Sequence, residues 1–163
     1  MKNWFLLKLL ALACALATSF PVSADTIGVE GDVAGIVKTQ KGDVMVERNS
    51  AMQTLTVGSK VYQNDRIVTG TASSVGITLN DDTRIALASS SSFRLTQIVY
   101  NPNTREGSFI VSMLKGSMRF VTGLLGKASP QSVSIRTPSS TIGVRGTDFI
   151  VSVGDIEGGT HAQ

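Results

Sequence analysis

Histidine and cysteine, two residue types that often carry catalysis, each occur once in this chain. His161 is the one histidine among the 163 residues and falls in a glycine-rich C-terminal stretch, so neither a histidine-activated nucleophile nor a multi-histidine metal site is expected. The pair Asp81-Asp82 could act as acid and base or bind calcium, but its place in a predicted turn favours turn chemistry, with both side chains presented to water. Gly126-Lys127 lacks the other residues of a phosphate-binding loop. The sequence therefore predicts a protein that is not an enzyme and that needs no cofactor or metal.

Four arginines occupy positions at which a strand would point its side chain to solvent, beside apolar neighbours that would point inward. They are Arg84, Arg94, Arg119 and Arg136. If their strands lie together, these arginines form a basic face for an anionic ligand or an acidic partner surface; otherwise they belong to an ordinary solvated face. Aromatic residues are few, Tyr62 and Tyr100 among them, so stacking on sugars or bases is weakly supported.

A fifth arginine, Arg145, stands between two glycines in an otherwise strand-like stretch. Gly143 and Gly146 predict a backbone that bends or is closely approached by another segment, because glycine in a regular strand costs entropy and packs nothing. Two roles are open for Arg145. It could fasten the structure, by bonding carbonyls or by pairing with an acid such as Asp65, or it could be presented to a ligand, and we expect the structural role.

Apolar and polar residues alternate with period two along most of the chain, which is typical of strands that are buried on one face. The clearest case is a hairpin with one strand over 75–79, a turn over 80–83 and a second strand through Ile85 and Leu87. Further strands are predicted at 43–48, 60–62, 66–69, 92–100, 108–114, 117–121, 132–136 and 148–153. A hairpin tip is expected at Asn101-Pro102-Asn103, a tight turn at Lys115-Gly116, a polar link over 88–91 and either one helical turn or a loop over 122–129.

These elements predict an all-β fold, namely a single antiparallel β-sandwich or roll-like domain of many short strands. The residues expected to point inward are Val44, Val46, Ile67, Val75, Ile77, Leu79, Ile85, Leu87, Phe93, Leu95, Phe109, Val111, Met118, Phe120, Val133, Ile135, Ile142, Val144, Phe149 and Val151. They are enough for one core, so no disulfide or metal is needed for folding.

The N-terminal residues have the pattern of an export signal. A short basic start precedes an apolar stretch over 9–17, which is shorter than the roughly 20 residues of a spanning helix, and small residues precede a cleavage position after Ala24. Cys14, the one cysteine, falls inside this signal, and lipidation there is not expected. Loss of Lys2 and Lys8 leaves thirteen basic against twelve acidic residues, which does not favour nucleic-acid binding.

The predicted organisation is therefore a signal peptide over 1–24, a lead-in over 25–36, a β-domain over 37–153 and a flexible tail over 154–163. Within the domain an ordered series of motifs resembles the FecR-type periplasmic domain family. The series comprises Gly42-Asp43-Val44, Leu55 with Gly58, Asn64-Asp65-Arg66-Ile67-Val68-Thr69-Gly70, the strand over 75–79 with Asp81, Leu114-Lys115-Gly116-Ser117-Met118-Arg119, and the closing run from Thr137-Pro138 to Gly143-Val144-Arg145-Gly146-Thr147-Asp148-Phe149. Asp82 stands where the family usually has glycine.

The resemblance implies an exported, non-catalytic interaction or sensing module of the cell envelope, in the periplasm of a Gram-negative bacterium, that binds a protein or envelope partner. It also implies a structural role for the motif residues Asp65, Thr69, Gly70, Gly143, Arg145, Gly146, Thr147 and Phe149. The full-length regulators of the family carry a segment that contacts a sigma factor, a membrane helix and a receptor-binding domain, and no motif here matches those parts. An anionic ligand or polysaccharide bound by the arginine face is the alternative, and the oligomeric state stays open.

Overall fold

The computed structural model describes residues 32–146 and 148–154, so the predicted signal peptide, Cys14, Thr147 and nearly all of the predicted tail with His161 lie outside the described residues. The strands are β1 (Val33–Lys41), β2 (Val44–Arg48), β3 (Ala51–Thr54), β4 (Lys60–Tyr62), β5 (Arg66–Thr69), β6 (Ser74–Leu79), β7 (Arg84–Leu87), β8 (Ser92–Asn101), β9 (Glu106–Val121), β10 (Val133–Arg136), β11 (Thr141–Gly143) and β12 (Asp148–Val153). A short helix, α1 (Leu124–Ala128), and a 3₁₀ turn (Pro130–Ser132) connect β9 to β10.

All of the strands belong to one curled sheet in which β9 is shared by two halves. In the first half the order is β3-β2-β5-β8-β9-β10-β11, and in the second half it is β12-β9-β7-β6-β1-β4. Every pairing is antiparallel except that of β9 with β10. The prediction of an all-β, roll-like antiparallel domain is confirmed.

The predicted tight turn at Lys115-Gly116 is wrong, because both residues lie within the continuous sixteen-residue strand β9. Ser92 lies opposite Lys115 while Phe93 lies opposite Met113, so Leu114 is an extra residue and forms a β-bulge. Gly116 has a φ of 86°, and a Cβ there would lie 2.6 Å from the Cα of Ser91. The glycine therefore bends β9 from one half of the sheet into the other and does not reverse it.

The predicted β6–β7 turn, the hairpin tip and the helical turn are found in the structure. The β6–β7 hairpin turns over residues 80–83 as predicted, and Asp82 adopts the left-handed conformation at a φ of 65°. The hairpin tip at Asn101 and the helical turn within 122–129 are also confirmed. Three strands were missed. β1 has two register shifts that break its alternation, all four residues of β3 are exposed, and β11 has only three residues, so none carries a clear period-two pattern.

One apolar core fills the space inside the curl. Every residue predicted to point inward is buried except Ile142 and Phe149, which are half-buried and pack against the core. The core also contains the buried apolar residues Ala34, Val37, Leu55, Val61, Met113 and Leu125. The outer surface of the sheet therefore carries the side chains that are available to a ligand or partner.

Candidate functional site

Asp65 is a buried carboxylate whose partner is Arg48, not Arg145. The Nε and Nη2 atoms of Arg48 donate to the two carboxylate oxygens at 2.8 and 2.7 Å, and the Tyr62 amide donates to one of them at 2.9 Å. The Arg48 guanidinium also lies 4.2 Å from the centroid of the Tyr62 ring. Asp65, named above as one acid with which Arg145 could pair, is therefore paired with Arg48 and held in a structural network.

Asp81 is also buried, which contradicts the expectation that the turn presents both acids to water. Its carboxylate accepts hydrogen bonds from the Thr83 amide at 2.9 Å, the Thr83 hydroxyl at 2.8 Å and the Leu125 amide at 3.2 Å. Helix α1 covers the hairpin tip and supplies the last of these donors, since the Leu125 amide lies in its first turn. Asp82 alone is exposed, so the two carboxylates do not form an acid–base pair.

The motif residues Thr69 and Gly70 lie where β5 ends. The Thr69 hydroxyl donates to the Ala88 carbonyl at 2.6 Å and accepts from the Ser91 amide at 2.9 Å, and the Gly70 amide donates to the Asp43 carbonyl at 2.9 Å. These bonds tie the polar link after β7 to the strands of the first half. They satisfy buried backbone groups, and the Thr69 hydroxyl both donates and accepts a hydrogen bond in doing so, which is a structural role.

Arg145 is exposed and lines an open cleft of about 640 Å³ together with Pro130, Gln131, Val133 and Ser134. The expected close approach at its flanking glycines is not found, because a Cβ at Gly143 or Gly146 would meet nothing within 4 Å. Gly146 is needed for its backbone, whose φ is 119°. Within residues 32–146 and 148–154, Arg145 forms no ion pair or hydrogen bond through its side chain.

The four outward arginines are all exposed, but they do not form one basic face. Arg94 and Arg136 lie in the first half on either side of Ser112 of β9. Arg84 and Arg119 lie in the second half. Arg119 of β9 is opposite Ala86 of β7, and Arg84 precedes Ala86 by two residues on β7. Arg84 and Arg119 are therefore diagonal neighbours, about 7–8 Å apart between their Cα atoms. The structure gives two separate arginine pairs.

The second pair borders a depression on the outer face of the second half. This trough has a volume of about 310 Å³ and is lined by Lys38, Thr39, Gly76, Thr78, Arg84, Ala86, Arg119 and neighbouring atoms of their strands. Gly76 and Ala86 lie opposite one another and form its floor, because neither side chain extends beyond Cβ. Next to it, Arg84 also lines a second depression of about 330 Å³ that includes Lys127 and Asp82.

Arg119 is the one trough cation with an acidic partner among the described residues. Its Nε and Nη2 atoms donate to the two carboxylate oxygens of Asp148 in β12, at 3.0 and 2.5 Å. The hydrogen bond to Arg119 lowers the pKa of Asp148, and the same bond raises the pKa of Arg119. The sequence did not point to Lys38 or to the trough, because the floor depends on the register of β6 with β7, which places Gly76 opposite Ala86.

These observations define the class of the protein: an all-β domain whose buried carboxylates are held in structural networks and whose distinctive exposed side chains are arginines. The family FecR protein matches residues 65–163, more than half of the chain, and the chain belongs to this family. The family is regulatory and not enzymatic, and its domains are periplasmic. The resemblance drawn from the motifs is confirmed, although the matched region begins at Asp65 and not at residue 37, and reaches the end of the chain.

Comparisons with solved structures and with curated proteins add little to the family assignment. A solved structure titled "Cell surface anchoring domain" is 25% identical, with 38% of this chain and 83% of that chain covered and a TM-score of 0.37, which is too low to support an argument about the fold. No curated protein matches this chain. Among residues 32–146 and 148–154, no helix is long and apolar enough to cross a bilayer.

Proposed function

We propose that this chain is an exported, non-catalytic binding module of the cell envelope, and that a partner protein adds a strand to the free edge of β12. Export would follow cleavage after Ala24 and place the domain in the periplasm. The observation that carries the proposal is the edge of β12. Of the strands that the structure describes, β9 is the only one paired with β12.

Within the described residues, β12 shows little of the protection that edge strands usually carry against strand addition. Natural edge strands are commonly blocked by charged residues, above all lysine, by proline or by a bulge. β12 has no lysine, proline or bulge, and its one charged residue, Asp148, is its first residue and is paired with Arg119. Its large apolar residue Ile150 is 70% exposed on the outer face of the sheet. Strand addition would satisfy the backbone groups of β12 that no described strand pairs with, and Ile150 would supply an apolar contact for an alternate side chain of the incoming strand.

The inner face of β12 is anchored, so its edge is held in place before a partner arrives. Phe149 stacks on Phe120 of β9 with 5.3 Å between ring centroids, and Val151 is buried in the core. The hydroxyls of Ser117 and Ser152 lie 2.8 Å apart across the same pairing. A preformed strand loses little further conformational entropy on binding, which favours affinity.

The proposal also holds that the domain is not catalytic, and the hydrogen bonds of its two buried carboxylates support this. Asp65 and Asp81 each accept several hydrogen bonds from structural donors, so neither carboxylate is free to transfer a proton. In the described part of the chain, no buried side-chain nitrogen or oxygen lacks a hydrogen-bond partner, and no three His, Cys, Asp or Glu residues form a metal-binding cluster.

Site-specific photo-crosslinking in intact cells tests the proposal. A photoreactive amino acid replaces Ile150 on β12, and the matched control replaces Leu124 on α1, which is apolar and 41% exposed but lies away from a sheet edge. We expect a crosslinked product of defined mass from position 150 and none from position 124, and Ser152→Pro should abolish it by removing a backbone donor of β12. Repeated recovery of the uncrosslinked domain, or equal products from both positions, would overturn the assignment.

A further inference from the structure

We propose that the trough on the second half of the sheet binds a multivalent oxyanion, in the form of an extended soluble chain that carries phosphate or carboxylate groups. The proposal goes beyond strand addition at β12 and does not rest on it. The trough is built from β1, β6, β7 and β9, whose pairing fixes the position of each lining residue.

The shape of the trough follows from two small residues in register. Gly76 and Ala86 lie opposite one another on β6 and β7, and Thr39 on β1 and Arg119 on β9 continue the same row on either side. The row therefore has two small residues in its centre and longer polar side chains at both ends, and the Thr39 side chain leans over Gly76 into the space that a Cβ would fill. A ligand group could lie over Ala86, between the Thr39 hydroxyl on one side and the Arg119 guanidinium on the other.

The cations around the trough are largely without acidic partners. Lys38, Arg84 and Lys127 form no ion pair with any other residue in the described ranges 32–146 and 148–154. A recess lined by charges of one sign concentrates the electrostatic potential and attracts ions of the opposite sign. The acids at the rim are Asp82 and Asp148, so the cations remain in excess.

The pair of Arg119 and Asp148 shows how an oxyanion is bound at this rim. The Arg119 guanidinium donates to both carboxylate oxygens of Asp148 in a bidentate arrangement, which is the geometry that arginine also uses for phosphate. The pair is exposed, with 60% of the arginine side chain and 43% of the aspartate side chain accessible. Asp148 therefore occupies, from within the protein, a position that a ligand oxyanion could take, and it competes with the ligand for Arg119.

The chemistry of the lining distinguishes among anionic ligands. Among the residues that the structure describes, no aromatic side chain lines the trough, so a sugar ring would gain no stacking there, and recognition depends on the anionic groups. Contacts with exposed cations are screened by salt, so binding should weaken steeply between low and physiological ionic strength. The threonines Thr39 and Thr78 offer hydroxyl donors for the remaining oxygens.

The test uses the mature chain and fluorescence anisotropy with labelled polyphosphate and labelled polygalacturonate, which separate phosphate from carboxylate ligands. Labelled dextran is the neutral control. The double variant Lys38→Ala/Arg84→Ala should weaken binding by about tenfold. The matched control Arg94→Ala/Arg136→Ala removes the same charge from the first half, where Arg94 and Arg136 are equally exposed, and should change binding less than about twofold.

A second variant tests the competition. Asp148→Asn should tighten binding by about threefold by releasing Arg119, whereas Glu47→Gln, which releases Arg66 from its 3.2 Å ion pair in the first half, should not. Thermal unfolding of each variant checks that the fold is retained.

Equal losses from both double variants, binding of dextran as tight as that of the polyanions, or binding to phosphatidylglycerol vesicles but to neither polymer would overturn the proposal. Crosslinking at Ile150 is a separate readout, so either proposal can fail alone.

Discussion

Removal of the Arg48 side chain should destabilise the domain far more than removal of Arg145, although Arg145 belongs to the more conspicuous sequence motif. The variant Arg48→Met keeps an apolar stem over Tyr62 but leaves the fully buried carboxylate of Asp65 with the Tyr62 amide as its one remaining donor among the described residues. Loss of one partner of a buried pair costs about 3–5 kcal/mol. The side chain of Arg48 is 27% exposed, so water can reach part of the site and we expect the lower end, about 3 kcal/mol.

Equilibrium denaturation in urea measures this difference, and in a thermal scan a loss of that size corresponds to a fall in Tm of about 10 °C. Arg145→Ala should change the free energy of unfolding by less than about 0.5 kcal/mol, because its side chain is exposed. The double variant with Asp65→Asn should be more stable than the sum of the single losses predicts, since the unpaired charge is then gone. Equal destabilisation by the Arg48 and Arg145 variants would refute the assignment of Arg48 as the partner of Asp65.

Three further predictions concern the bend, the hairpin tip and the exposed ion pair. Gly116→Ala should cost about 3 kcal/mol in urea denaturation, from strain at positive φ and a clash with the facing serine, while Gly143→Ala, which meets open space, should cost less than about 0.5 kcal/mol. Asp81→Ala should cost about 3 kcal/mol in the same assay by leaving three donors unpaired, and a neutral result would contradict the role of Asp81 in holding α1. In an NMR titration, Asp148 should ionise below the ordinary aspartate pKa and return towards it in Arg119→Gln. Because the folded pKa is the lower one, the pair's small stabilisation is present above the unfolded pKa and is lost as pH falls through the folded pKa.

Local pattern predicted most of the strands because each half-buried strand shows its burial in its own alternation. The β6–β7 hairpin is the clearest case, since its turn residues and both strands are contiguous in sequence. The prediction of a tight turn at Lys115-Gly116 was wrong because a glycine at positive φ is typical of a β-bulge as well as of a turn. Only the pairing of the neighbouring residues with Ser92 and Phe93 distinguishes a bulge from a turn here.

The contacts that define the buried acids could not be read from local pattern at all. Arg48 and Asp65 are separated by 17 positions, and Asp81 and Leu125 by 44, so each contact depends on the packing of distant elements. The outward positions of the arginines were correctly inferred from alternation, but their division between two halves required the strand order. The trough likewise arises from the register of four strands.

The continuity of β9 has a consequence for folding kinetics. Because β9 pairs with β7, β8, β10 and β12, neither half of the sheet can be completed until residues 106–121 have been synthesised and have met strands from both sides. Many of the contacts that close the sheet are distant in sequence, which slows folding. A chain with this topology should therefore remain unfolded until late in synthesis and then fold in one cooperative step.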